Sequence, residues 1–219
     1  MAEVNVPLAM QTKMERKTIP NKDETNCVLK ELAQLACRSG ASGAETISTN
    51  DITVEDDLAN LCREPRCESY GLSPSCPPHV SGPSWFRELL KKFKHAIVIK
   101  IDVPLDILLS SERRDLMKLL HEIVAGIERA AVKTGYLSSK SFAGGSCKII
   151  FCHDYTDCHV LSEGGECRNP RYARPSMSGF GINVSKLMQA AGWTMKRYNS
   201  EADPDTVFTA PICGLILIG

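Results

Sequence analysis

Residues 83–101 read PSWFRELLKKFKHAIVIKI and predict an amphipathic helix that leads directly into a buried strand. Apolar side chains recur at helical spacing through 83–94, while basic residues fill the outer face of that helix. Residues 96–101 then form a nearly continuous apolar run, rich in β-branched side chains, which is typical of a strand covered on both faces. The pair predicts a sheet with helices packed against it.

Helical and strand patterns alternate along the rest of the chain, so the predicted fold class is α/β or α+β, a mixed sheet packed with helices. The other predicted elements are a helix capped by Asn26 and ending at Gly40, short strands over 44–47 and 52–54, a long helix capped by Ser110 or Ser111 and ending at Gly135, a helix over 184–191 capped by Asn183, and a strand over 212–218. Residues 1–25 are polar without a sustained period, which predicts a flexible N-terminal arm. Residues 26–219 are predicted to form a single α/β domain with two projecting cysteine loops.

The overall composition is that of an ordinary globular protein. The chain has 219 residues, of which 43% are hydrophobic and 24% charged, with 26 Lys and Arg against 26 Asp and Glu. Balanced charge argues against nucleic-acid binding, which needs an excess of basic residues. No apolar run is long enough for a membrane helix, and the N-terminus lacks the apolar segment of an export signal. The expected location is therefore cytoplasmic.

Ten cysteines stand out in the composition, and seven of them fall into two groups. The groups are Cys62, Cys67 and Cys76 in a loop over 62–78, and Cys147, Cys152, Cys158 and Cys167 in a loop over 147–170. Secreted disulfide scaffolds are usually shorter than about 80 residues and lack a sufficient core of their own. In a reducing compartment, grouped cysteines more often bind a metal, so all seven are candidate metal ligands.

The spacings C-x4-C-x8-C-P-P and C-x4-C-x5-C-x8-C favour an iron–sulfur cluster over zinc. Structural zinc sites typically use close pairs of cysteine or histidine, whereas cluster-binding cysteines vary more widely in spacing. A proline directly after a ligating cysteine recurs in ferredoxin-type loops, and Cys76 carries such a proline. Zinc stays the alternative, because His79, His153 and His159 lie near the cysteines, either as further ligands or as solvent-facing loop residues.

Seven thiolates permit two arrangements. In the first, the second group ligates a complete [4Fe–4S] cluster, and the first group holds a cluster with one iron open to substrate, water or a partner's ligand. In the second, both loops surround one centre. The first is preferred because each group is locally self-sufficient. The remaining cysteines, Cys27, Cys37 and Cys213, are predicted to be buried structural residues, with Cys213 as an alternative fourth ligand of the first group.

Polar residues after the last cysteine are candidates for contact with the cofactor. Arg168, Arg171 and Arg174 are positioned to favour the reduced form of a negatively charged cluster, or else are solvated residues of a surface loop. Ser176 or Ser178 is predicted to begin a helical turn whose free amides accept an anion. The candidate cofactor-binding residues are therefore Arg168, Arg174 and Ser176.

Several of these motifs together resemble a known prokaryotic family. The motifs are Arg66-Cys67, Tyr70-Gly71, Cys76-Pro77-Pro78, Gly145-Ser146-Cys147, Cys167-Arg168-Asn169-Pro170, Arg174-Pro175-Ser176-Met177 and Gly181-Ile182-Asn183-Val184. Their combination is similar to a family of predicted metal-binding proteins, a domain of unknown function. The resemblance implies metal binding through these cysteines, as an iron–sulfur centre, with no established reaction. Members of that family often have shorter C-x2-C-type spacings in the second group than the intervals between Cys147 and Cys158 here.

The leading functional hypothesis is a cytoplasmic iron–sulfur protein that holds one or two [4Fe–4S] clusters and transfers electrons to a partner redox enzyme. One alternative is a redox or Lewis-acid enzyme that uses an open iron held by three cysteines. Another is a structural zinc-binding interaction module. The sequence contains no phosphate-binding glycine loop, no H-E-x-x-H zinc motif and no G-x-S-x-G nucleophile motif, so kinase and hydrolase chemistry have no support.

Overall fold

The structure is a computed structural model that describes residues 22–194 and 208–219. Its strands are β1 Gly43–Ser48, β2 His95–Pro104, β3 Lys140–Ala143 and β4 Thr209–Ile218. They form one sheet in the order β1-β2-β4-β3, and every neighbouring pair is antiparallel. Helices pack on this sheet, which confirms the predicted fold class, and the antiparallel pairing is that of an α+β protein.

Eight α-helices and two 3₁₀ turns accompany the sheet in the described residues. The helices are α1 Lys22–Arg38, α2 Asp56–Asn60, α3 Gly82–Leu90, α4 Leu105–Leu108, α5 Arg113–Lys133, α6 Cys147–Phe151, α7 His159–Ser162 and α8 Val184–Ala190. The 3₁₀ turns cover Thr49–Asp51 and Met177–Phe180. Within the part of the chain that is described, no helix is both long and apolar enough to cross a membrane.

Most predicted elements are present, and the differences have local causes. Asn26 lies inside α1 rather than at its N-cap, because the helix already begins at Lys22. The predicted strand over 52–54 is wrong, since only Val54 pairs, in a single bridge to Ile182. The predicted arm over 1–25 falls largely outside the described residues, and its last four residues form the first turn of α1.

The second cysteine segment has more regular structure than the expected loop. Its short helices α6 and α7 were not predicted, and neither was β3. A helix of four or five residues carries too little periodicity to be recognised in a sequence window of eleven or more residues.

The side chains of β2 alternate between the two faces of the sheet, and both faces are covered. Ile97, Ile99 and Ile101 belong to one buried cluster, together with residues of α1 and α5. Ala96 and Val98 belong to the other cluster, together with residues of α3 and α8. Because side chains alternate along a strand, a strand covered on both faces needs apolar residues at successive positions. This explains the continuous apolar run in the sequence.

Three phenylalanines anchor the face that carries α3. Phe86, Phe142 and Phe180 are at most 3% exposed, and their ring centroids lie 5.1 to 5.3 Å apart. Burial of each ring contributes about 2 kcal/mol to the stability of the fold. Since Phe180 belongs to the 3₁₀ turn that follows the second cysteine segment, this contact fixes that turn beneath α3.

Both cysteine segments meet at the β3 edge of the sheet. The backbone N–H of Ala143, at the end of β3, donates to the carbonyl oxygen of Pro175 at 3.0 Å. The N–H of Ser176 in turn donates to the carbonyl oxygen of Ser75 at 2.9 Å. Backbone pairing therefore continues beyond β3 as far as Ser75, directly beside Cys76. Two stretches far apart in the chain are brought side by side in this way.

Candidate metal centre

The seven grouped cysteines line two separate cavities. All ten cysteines of the chain are free thiols. The first cysteine cavity has a volume of about 140 Å³ and is lined by Cys62, Cys67, Ser69, Tyr70, Cys76, Pro77, Gly145, Ser146, Ser176 and Ser178. The second cysteine cavity is smaller, about 30 Å³, and its lining includes Cys147, Cys152, Cys158 and Cys167. The three cysteines of the first cavity and the four of the second are the same two groups that the spacing along the sequence predicts.

A thin wall of two short segments separates the cavities. Ser75 lines the second cavity, whereas the next residue, Cys76, lines the first. Ser146 lines the first cavity, and the next residue, Cys147, lines the second. Ser146 has extended backbone, with φ −113° and ψ 126°, so its side chain points away from that of its neighbour. Consecutive residues therefore serve different cavities.

Turns shape the first cysteine segment. The N–H of Cys67 donates to the carbonyl oxygen of Cys62 at 3.1 Å, and the N–H of Gly71 donates to that of Pro77 at 2.8 Å. Gly71 has φ +79°, a conformation that only glycine adopts readily. Burial, and then the neighbouring thiols of Cys67 and Cys76, raise the pKa of the Cys62 thiol. The Cys62 thiol therefore resists ionisation unless a positive centre lies beside it.

Asn169 connects two sulfurs of the second cavity. Its backbone N–H donates to Cys167 Sγ and its side-chain Nδ2–H to Cys152 Sγ, each at 3.4 Å. Hydrogen bonds to cysteine sulfur stabilise negative charge on it and are among the features that set the potential of iron–sulfur clusters. Asn169 is a site residue that the sequence analysis quoted only as part of a motif.

Lys148 places a buried cation beside the second cavity. The side chain is only 7% exposed and lines the cavity, and its Nζ donates to the carbonyl oxygens of Cys152 at 2.8 Å and Tyr155 at 2.5 Å. No carboxylate of the described residues forms an ion pair with it. A buried charge is costly unless an opposite charge lies nearby, so this ammonium favours negative charge on the surrounding sulfurs. Lys148 was not predicted as a site residue, because no recognisable sequence motif marks a lysine within a short apolar helix.

The sulfurs of the two cavities interact across the wall. Burial is the largest cause that raises the pKa of the Cys147 thiol, and the thiols of Cys76 and Cys167 raise it further. The nearby hydroxyls of Ser75 and Ser73 lower the pKa of this thiol, but the net direction is upward. Cys76 belongs to the first cavity and Cys167 to the second. The pKa of the Cys147 thiol therefore depends on the sulfurs of both cavities.

A polar network on α5 holds the second cysteine segment in place. The ring of His121 is fully buried, its Nε2–H donates to the carbonyl oxygen of Gly144 at 3.2 Å, and its Nδ1 accepts from the N–H of Arg174 at 3.3 Å. Burial lowers the pKa of His121 to about 4, so the ring is neutral at pH 7. Gly144 precedes the first cysteine of this group and Arg174 follows the last, so one histidine fixes both ends of the segment.

The predicted arginines have different surroundings. Arg168 lines the second cavity, and its guanidinium lies 4.2 Å from the centre of the Tyr155 ring. The guanidinium of Arg174 pairs instead with Glu128 of α5, and that of Arg171 is exposed beside Tyr172. The proposed influence of Arg174 on a cluster stays a prediction, and its observed contacts are those of an anchor.

The structure also shows where Ser176 and the three candidate histidines lie. Ser176 is buried, lines the first cavity and precedes the 3₁₀ turn Met177–Phe180, as its predicted position before a helical turn required. His159 lines the second cavity, and its two ring nitrogens face the carbonyl oxygen of Glu166 and the carboxylate of Glu163, each at 3.0 Å. His153 lies 3.0 Å from the carboxylate of its neighbour Asp154, and His79 is exposed.

The other three cysteines divide between surface and core. Cys27 and Cys37 are exposed on α1, so the prediction that they are buried is wrong. Cys37 lies beside Leu29 in the lining of an open surface cleft between α1 and β1. Cys213 is 4% exposed within the core beneath α3, where burial raises the pKa of its thiol to about 12. Cys213 is not among the residues that line the first cavity. This position argues against Cys213 as the fourth ligand of the first cysteine group.

The donor set of both cavities is thiol sulfur. Thiolates bind zinc, copper(I) and iron–sulfur clusters in preference to hard cations such as magnesium and calcium. Among the described residues, no three His, Cys, Asp or Glu side chains lie close enough to enclose a single metal ion. The cysteines instead surround two cavities, with N–H donors aimed at sulfur in the second and a buried hydroxyl in the first.

The fold and the site define a cysteine-rich α+β protein whose seven grouped thiols surround two adjoining cavities. The chain belongs to the family described as "Predicted metal-binding protein" (DUF2284), whose model matches residues 45–218. The match contains both cysteine groups and the network on α5. Searches of the curated proteins and of the solved structures found no match to the chain.

Proposed function

We propose that this protein holds two adjoining iron–sulfur centres and transfers single electrons to or from a partner redox enzyme. The observation that carries the proposal is the sorting of seven cysteines into two cavities that share a thin wall. Adjoining centres suit electron transfer, because the step from one centre to the other is short. The fold supplies burial, hydrogen bonds and partner contact, while the clusters supply one-electron oxidation and reduction when bound.

The four cysteines around the second cavity suit a fully ligated [4Fe–4S] cluster. Each of its irons takes one thiolate ligand, as in clusters with four cysteines. Such a cluster with four thiolates carries net negative charge, which the buried ammonium of Lys148 and the guanidinium of Arg168 both compensate. Asn169 donates to two of the four sulfurs. These residues favour an anionic sulfur-bound group in this cavity.

Cys62, Cys67 and Cys76 suit a second cluster in the first cavity. Only three thiols line this cavity, and serine and tyrosine hydroxyls supply most of its other polar groups. The cavity is also larger than the second one, about 140 Å³ against about 30 Å³. Cys67 is exposed, whereas none of the four cysteines of the second cavity is, so the first centre is the one assigned to exchange electrons with the partner.

Metal and inorganic sulfide analysis of protein purified without oxygen tests this proposal. Cys67→Ala and Cys158→Ala remove one ligand from each cavity, and Cys37→Ala removes an exposed thiol of α1 as the matched control. Each cavity variant is expected to lose part of the iron and sulfide, and the control none. Stoichiometric zinc without sulfide in the wild-type protein contradicts the proposal. Loss of all iron from both cavity variants, with folding retained, contradicts two separate centres.

Electron transfer has its own readout. Protein reduced with dithionite and freed of excess reductant should bleach, and should regain its visible absorbance when a one-electron acceptor is added. The Cys158→Ala protein should return fewer electrons per chain than the Cys37→Ala control. Equal electron yields from these two variants would mean that the second cavity takes no part in redox chemistry.

A further inference from the structure

The hydroxyl of Ser146 is a buried polar group without a partner. Ser146 is 6% exposed, and its Oγ forms no hydrogen bond to any described residue. A buried hydroxyl without a hydrogen bond costs about 1–3 kcal/mol, so such groups in native proteins usually have a ligand or water as partner. Ser146 lines the first cysteine cavity, where three thiols also point.

In the described part of the chain, no other polar side chain of this cavity is both buried and without a hydrogen-bond partner. Tyr136 and Ser73 also have buried hydroxyls without a hydrogen-bond partner among the described residues, but neither lines the first cavity. Ser178 lines it and is exposed to solvent. The core thiol of Cys213 does not line it, and the high pKa of this thiol, about 12, opposes its ionisation.

The chain presents Ser146 to the cavity in a fixed way. Gly145, with φ +82°, turns the chain directly before it, and Cys147 begins α6 directly after it. The extended backbone of Ser146 directs its side chain into the first cavity while Cys147 faces the second. The backbone conformation on both sides therefore fixes the position of Ser146 at this cavity.

We infer that Ser146 Oγ is the fourth protein ligand of the centre held by Cys62, Cys67 and Cys76. The inference rests on the proposed function and completes it, because a four-iron cluster has one iron more than these three thiolates can ligate. The serine oxygen binds that iron, and the proton of the hydroxyl leaves to solvent. Ser146 and Cys147 then link the two centres through a single peptide bond.

Controlled oxidation distinguishes a ligated fourth iron from an open one. A four-iron cluster held by three protein ligands loses the fourth iron on oxidation and gives the electron paramagnetic resonance signal of a three-iron cluster. Anaerobically purified wild-type protein, Ser146→Ala, Ser146→Cys and Ser111→Ala, a control at an exposed serine outside both cavities, are each treated with ferricyanide. The three-iron signal and the released iron are then measured, with inorganic sulfide as a check on cluster content.

The wild-type, Ser146→Cys and Ser111→Ala proteins are expected to resist conversion. Ser146→Ala is expected to give at least about a tenfold larger three-iron signal and to release about one iron atom per chain. Equal conversion in the wild-type protein and Ser146→Ala overturns the inference and shows an open iron. Absence of iron and sulfide from the wild-type protein overturns the proposed function instead.

A second measurement covers the possibility that Ser146→Ala binds no cluster in the first cavity. Ser146→Cys replaces the ligating oxygen by sulfur, so ligation by Ser146 requires the electron paramagnetic resonance spectrum of the reduced cluster to change. A spectrum that differs from the wild-type spectrum supports the inference. A spectrum identical to that of the wild-type protein overturns it.

Discussion

Arg174 and Glu128 form a two-pronged ion pair that ties the end of the second cysteine segment to α5. Arg174 Nε lies 3.0 Å from Glu128 Oε2, and Nη2 lies 3.2 Å from Oε1. The two side chains are only 12% and 21% exposed. Glu128 also accepts a hydrogen bond from the backbone N–H of Ser141 in β3, at 2.7 Å. One carboxylate therefore joins a helix, a strand and the chain that follows Cys167.

The Glu128→Gln variant should be destabilised by about 3 kcal/mol, because it leaves a partly buried guanidinium without its counter-charge. Urea unfolding of the anaerobic protein measures the change. Glu88→Gln is the matched control, since Glu88 pairs with Lys91 at a site where both side chains are more than 60% exposed. The control should change the free energy of unfolding by less than about 0.5 kcal/mol. Equal effects of the two substitutions would contradict the anchoring role.

His121 should make the protein less stable as the pH falls from about 6.5 toward 4. Burial lowers the pKa of its ring to about 4, from an ordinary value of 6.5 in the unfolded chain. Between these values the unfolded state binds a proton that the folded state does not, so stability rises with pH in this window and is constant outside it. The loss between pH 7 and pH 5 amounts to about 2 kcal/mol.

The His121→Leu variant provides the comparison. It removes the titrating ring, so the free energy of unfolding should depend less on pH between 5 and 7 by about that 2 kcal/mol. Urea unfolding of both proteins across this range is the measurement. Parallel pH profiles for wild type and variant would exclude a neutral, buried His121.

Asn169 should raise the reduction potential of the second centre. Donation to cysteine sulfur stabilises the reduced, more negative state, so Asn169→Leu, which removes the bond to Cys152 Sγ, should lower the midpoint potential. If the reduced state loses about 1 kcal/mol of stabilisation, the midpoint potential of a one-electron couple falls by about 40 mV. Potentiometric titration measures the shift, with Asn60→Leu at an exposed position of α2 as control. A potential unchanged in Asn169→Leu would show that this amide does not act on the cluster.

Cys213 should prove to be a core residue rather than a ligand. Its thiol is buried among the residues that pack beneath α3, so Cys213→Ala should cost about 1 kcal/mol of stability through lost packing. Iron and sulfide content should equal that of the wild-type protein. Iron loss comparable to that in Cys67→Ala would instead place Cys213 at the first centre.

The cysteine grouping was readable in the sequence, but the residues that surround the sulfurs were not. Spacing alone separated Cys62, Cys67 and Cys76 from the other four. Nothing in the sequence indicated that Lys148 and His121 belong to the site, because a single polar residue within a helical pattern is ordinarily expected to face solvent. Their burial depends on what packs against the helix, and a local pattern does not contain that information.

The sequence by itself determined the central strand, the long helix α5 and the membership of the two cysteine groups. These features depend on hydrophobic periodicity and on short spacings, which are local properties of the chain. Only the tertiary structure decided that the two groups adjoin, since the contact depends on hydrogen bonds from β3 to Pro175 and from Ser176 to Ser75. Only the tertiary structure, too, turned Ser146 and Cys147 toward different cavities. The direction of a side chain follows from its backbone conformation and its long-range packing, and spacing along the chain specifies neither.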